Sequence, residues 1–205
     1  MDRKLKKWEL CLMFGLLCAL LSGAWLERER TELSERVIRL HVIANSDSAA
    51  DQALKLAVRD RVLEQARELY PVGADLDTAR AALEGGLSRL AAAGRQEVER
   101  QGYDYPVCAQ LVRCRFPTKE YDGFALPAGE YEALRVVIGR GEGRNWWCVA
   151  FPPLCLGAAS ETVDDAVAAG LFTREQGALM TRDGEGYVLK FKALELWDEL
   201  KHSGK

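Results

Sequence analysis

A run of seventeen uncharged residues near the start limits everything else this chain can do. Residues 10–26 read LCLMFGLLCALLSGAWL, and the basic side chains Arg3, Lys4, Lys6 and Lys7 precede them. Transfer of apolar groups out of water is favourable by about 0.8 kcal/mol per methylene, so the run belongs in lipid rather than in water. Its length is at the lower limit for a membrane span and slightly long for the core of a secretory signal. Ser22 and Ala24 stand three and one positions before a cut after Ala24, where a signal peptidase needs small residues. Cleavage and a retained anchor therefore both stand. Lipoprotein processing at Cys18 is disfavoured, because Leu16 and Leu17 occupy the positions before it. Under either outcome the basic flank stays in the cytoplasm and the body is exported.

The same boundary divides the charge. Residues 1–26 hold four basic and two acidic side chains, leaving 24 of the 28 basic and 29 of the 31 acidic residues beyond them. An acidic body repels phosphates, which argues against nucleic-acid binding by counterion release. With 205 residues and 48% hydrophobic content, the chain is long enough for one domain with a real core.

Residues 27–35 are charged and read as a short spacer. Residues 36–205 then read as a single extracytoplasmic domain. Residues 37–44 alternate as a strand, with Ile38, Leu40, Val42 and Ala44 on one face and Arg39 and His41 on the other. Ser48 and Asp51 have the spacing of a capping box, opening a helix to about Tyr70 with Leu54, Val58, Val62, Ala66 and Leu69 as its apolar stripe. A second long helix is expected over residues 77–101, weakened in its middle by Gly85 and Gly86. Strands follow over residues 107–116, 131–138 and 146–151, the last two paired as a hairpin across the glycine-rich residues 139–145. Thr162 and Thr173 repeat the capping spacing, and residues 187–200 read as a strand turning into a helix. This order predicts an α+β fold, a mostly antiparallel sheet with two long helices on one face, preceded by the N-terminal hydrophobic signal or anchor helix.

Candidate chemistry is sparse. Gly139, Gly141 and Gly143 lead into a strand, whereas a phosphate loop must lead into a helix N-terminus, so a turn is the better reading. No spacing among His, Cys, Asp and Glu is that of a metal site, and no cofactor or small-molecule substrate is expected. Cys108 and Cys114 share a strand face about 20 Å apart, too far for a disulfide, and read as two buried apolar thiols. Cys148 and Cys155 flank Pro152 and Pro153, which can turn the chain back, so an oxidising compartment makes a Cys148–Cys155 bridge plausible. A Cys148/His41 nucleophilic pair is the competing reading, and would make the protein an exported thiol-dependent hydrolase. Two local textures remain. His41, Asn45 and Asp47 lie at a strand-to-helix corner, where Asn, Ser and Asp are also ordinary caps and turn formers. Trp146 and Trp147 point to opposite faces of a strand beside the glycine turn, and an exposed Trp is a reasonable interface anchor.

Together these textures resemble the stage II sporulation protein R family of endospore-forming bacteria. The resemblance rests on IRLHVIANSD (38–47), DQALKL (51–56), VRD (58–60), LPAGEYEALR (126–135) and NWWCVAFPPLC (145–155). It implies a signalling protein rather than an enzyme, made in the forespore and exported into the space between the two sporulation membranes. There it would trigger a membrane-embedded protease of the mother cell that cleaves the sigma-E precursor. His41, Asn45, Asp47, Trp146 and Trp147 are the residues expected to meet that receptor, on the side of the sheet the helices leave open. A structural envelope protein is the remaining alternative.

Overall fold

The computed structural model describes residues 7–121, 124–154 and 159–181. Its first element, α1 (Lys7–Ser34), carries the apolar run and does not stop where that run ends. The helix is long and apolar enough to cross a membrane, and its apolar window is unburied by the rest of the chain. It continues unbroken through the charged residues that the sequence reads as a spacer, and Leu33 in its last turn is buried in the body.

Strand β1 (Ile38–Ile43) lies inside the sheet and is buried along its whole length. Helices α2 (Ala49–Arg67), α3 (Leu76–Gly85) and α4 (Leu87–Arg100) follow. The Ser48 hydroxyl accepts the Asp51 N–H at the start of α2, as the capping pattern requires. The single helix expected over residues 77–101 is instead two. Gly86 caps both, and a Cβ there would come within 2.4 Å of the Leu69 side chain, which would have to move aside. Strands β2 (Val107–Phe116), β3 (Lys119–Glu120), β4 (Ala125–Leu126), β5 (Gly129–Ile138) and β6 (Asn145–Phe151) precede α5 (Ala159–Ala168) and α6 (Arg174–Met180). Thr173 and Gln176 complete a reciprocal capping box on α6. The strand and helix expected over residues 187–200 lie outside the described residues.

The main sheet has the order β2-β5-β1-β6, and β3 and β4 form a separate pair. Two of its three pairings are antiparallel and one, β1 with β5, is parallel. The expected β5–β6 hairpin is therefore absent: β1 runs between those strands, and residues 139–145 cross over its end. A parallel neighbour needs a long crossover, and the three helices after β1 belong to that connection.

Each sheet face has its own core. Against the first face, Leu54, Val58 and Val62 of α2 and Leu90 and Val98 of α4 meet Leu40, Val42, Leu134 and Val136. On the second face, Leu33, Phe124, Leu126, Val163, Phe172 and Met180 cover Phe116, Tyr131, Ala133 and Val149. This second cover corrects the expectation of one open face. Arg39 and His41, which belong to it, are buried.

Candidate functional site

The corner after β1 is a polar latch. The Asn45 amide donates to Asp51 Oδ2 at 2.9 Å, and its Oδ1 accepts the Arg140 N–H at 3.0 Å. The Ser46 hydroxyl donates to the same Asp51 oxygen at 2.5 Å. These two donors hold the Asp51 carboxyl below its ordinary value. Asp47 accepts the Arg144 N–H at 2.7 Å, and Lys55, almost fully buried, donates to Gln52 and to the Arg144 carbonyl. Gly139 has φ +58, and a Cβ on Gly143 would fall 2.2 Å from the Ser46 carbonyl oxygen. The Asn-Ser-Asp motif and the glycine motif are thus two halves of one fastening. Asn45 and Asp47 spend their hydrogen bonds inside the protein, and Asp47 keeps its exposed edge.

His41 faces the other way. Its ring stacks on Trp147 with centroids 3.9 Å apart and 20° between planes, and Phe116 meets it edge-on. Its Nε2 donates to the Oδ1 of Asn145, the first residue of β6, at 2.9 Å. Its Nδ1 is buried with no hydrogen-bond partner. Burial holds the imidazole pKa below its ordinary value, the Asn145 bond opposes this, and the Arg135 charge adds to the lowering.

Two residues back, Arg39 is fully buried in an aromatic cage. Its Cζ lies 4.4 Å from the Phe116 ring centroid and 4.8 Å from that of Tyr131. It donates to the Cys148 carbonyl and to the Tyr121 hydroxyl. Burial pushes the Tyr131 phenol up to about 12 and raises that of Tyr121, so neither supplies a counter-charge. An arginine inside a strand buried along its whole length is the local sequence signal for this cage.

Trp146 and Trp147 do point to opposite faces. Trp146 packs at the margin of the first core, with the Arg59 guanidinium 4.4 Å from its ring centroid. Both indoles are half-buried. Cys148 pairs in register with Leu40, whereas His41 pairs with Trp147. Successive strand residues alternate faces, so Cys148 and His41 lie on opposite sides of the sheet. A Cys–His nucleophilic pair is excluded by that geometry. Cys108 is exposed and Cys114 half-buried, both free, so the reading of two buried thiols fails at Cys108. Cys155 lies outside the described residues. Elsewhere, an apolar cleft of about 370 Å³ opens between Tyr70, Val72, Phe151, Pro153 and Leu171.

Comparison with known proteins places these motifs. The family model for stage II sporulation protein R matches residues 34–161, which takes in the latch, both tryptophans and all of the main sheet. The chain belongs to that family. A curated relative, the stage II sporulation protein R of Bacillus subtilis (strain 168), is 36% identical over 129 residues. The match takes in 63% of this chain and 58% of the relative's length. No solved structure matches. Family membership ties the chain to sporulation, and its apolar α1 is compatible with a signal or an anchor.

Proposed function

We propose that the body is an exported signalling domain, acting between forespore and mother cell, that activates a membrane-embedded receptor protease and so leads to cleavage of the sigma-E precursor. Family membership and the N-terminal helix support export and a sporulation role. The observation that carries the contact assignment is the His41–Trp147 stack, which lies on the second sheet face and leaves part of Trp147 in solvent. A partly exposed indole held rigid by stacking is a good binding anchor, because little of its freedom remains to be lost.

Activation across a membrane requires the domain to favour one receptor state. Moving an equilibrium from about 1:99 to 99:1 takes about 5.5 kcal/mol of differential affinity, which a few anchors of this kind supply. Within this reading Trp147 is the principal anchor and His41 its support, Trp146 is a second anchor at the strand edge, and Asn45 and Asp47 fix the loop between them. A Cys148–Cys155 bridge completes the proposal. Its support is that Cys148 is disulfide-bonded whereas Cys11, Cys18, Cys108 and Cys114 are free.

The test is reconstitution of the full chain with the candidate receptor protease, scoring precursor cleavage. Cleavage that depends on this protein supports the proposal; cleavage at the same rate without it defeats it. Alkylation without reduction tests the bridge: Cys148 should stay unlabelled, and a labelled Cys148 would defeat that part of the proposal.

A further inference from the structure

We infer that the second sheet face receives a carboxylate side chain of the partner protein, held between Arg135 and His41 beside Trp147. The inference rests on the reading above that this face meets a receptor, and adds the chemistry of what it grips.

The groups converge by register. His41 of β1 pairs with Arg135 of β5 on one side and with Trp147 of β6 on the other. Register partners share a face, so the imidazole sits between a guanidinium and an indole. His41 is only 7% exposed, yet its Nδ1 has no hydrogen-bond partner. The Nε of Arg135 is likewise buried and unpartnered. Buried polar groups are nearly always hydrogen-bonded, and an orphan on each of two adjacent side chains points to a missing ligand.

The sign of that ligand follows from the charges. Arg39 and Arg135 both lie on this face, and among the described residues neither forms an ion pair with a carboxylate. The nearby Cys114 thiol is held protonated by burial, which leaves it without charge, and Gln110, the register partner of Arg135, is neutral. Burying a guanidinium with no counter-ion is costly, so an anion that arrives with its own hydrogen-bond acceptors is strongly favoured. A carboxylate fits: it accepts from Arg135 Nε, and its charge stabilises a proton on His41 Nδ1, which then donates to it. Arg39, fully enclosed by its aromatic cage, contributes field and not contact.

The experiment uses the full chain in detergent and overlapping synthetic peptides spanning the candidate receptor's extracytoplasmic segments. Each acidic peptide is paired with a version carrying Asn and Gln for Asp and Glu. At least one acidic peptide should bind, and its amide version should bind about 10- to 100-fold more weakly, the range of a lost charge-assisted bond. Arg135→Gln should lose the same factor for the acidic peptide, discriminate little between the pair, and unfold no more easily than wild type. Equal binding of acidic and amide peptides, or unchanged binding by Arg135→Gln, overturns the inference. A complete failure of the intact receptor to bind the full chain overturns the proposed function instead, and the two outcomes are read separately.

Discussion

Asn45 shows how a residue chosen for recognition at the level of sequence turns out to be committed to structure. Its amide satisfies Asp51 and its carbonyl oxygen satisfies Arg140, from a position only 8% exposed. Asn45→Ala leaves both partners short, and we expect a loss of about 1–3 kcal/mol in urea unfolding of the full chain. His41 makes a second prediction. Its imidazole pKa is lowered from 6.5 in the folded state, so on acidification an unfolded chain takes up the proton first. Stability should therefore be fully present above about pH 6.5 and fall as the pH drops from there through the lower folded-state value. His41→Gln should flatten that dependence, measured as the urea midpoint between about pH 7.5 and about pH 5.5. An unchanged slope would place the titrating group elsewhere.

Gly85 and Gly86 separate two roles at the scale of elements. Nothing lies near a Cβ on Gly85, whereas one on Gly86 meets Leu69. Gly85→Ala should raise stability by about 0.5–1 kcal/mol and Gly86→Ala should lower it, by thermal or chemical unfolding. Gly143→Ala should be more damaging still, because the obstacle is the Ser46 backbone and cannot rotate away. The elements themselves were largely legible: each strand expected over residues 37–151 is present and both expected helical stretches are helical, the second one broken at Gly86, because periodicity and capping are local signals. Pairing was not. The short link from Ile138 to Asn145 reads as a hairpin, and only the demand of the apolar β1 for two neighbours places that strand between β5 and β6. The split after Gly85 was half-visible, since the glycine pair was evident while Leu69 was not. Burial of Arg39 and His41 depends on a second cover drawn from residues 33, 124–126 and 163–180, which no local pattern announces.

At the scale of the whole molecule, only residues 35–37 separate the membrane-compatible α1 from β1 of the two-faced sheet. Leu33 ends α1 inside the second core, the same core that holds Phe116, the neighbour of both Arg39 and His41. Leu33→Ala should cost about 2–5 kcal/mol and loosen that connection. Among the described residues, Trp147 and Arg135 keep part of their surface open on this face, and there the proposed receptor contact lies. The direct measurement is precursor cleavage by the reconstituted candidate protease, with wild type and Trp147→Ala compared at equal amounts of folded protein. Cleavage should require the wild-type chain and fall at least about tenfold with Trp147→Ala, the effect of losing a binding hot spot. Equal cleavage with both proteins would contradict the account.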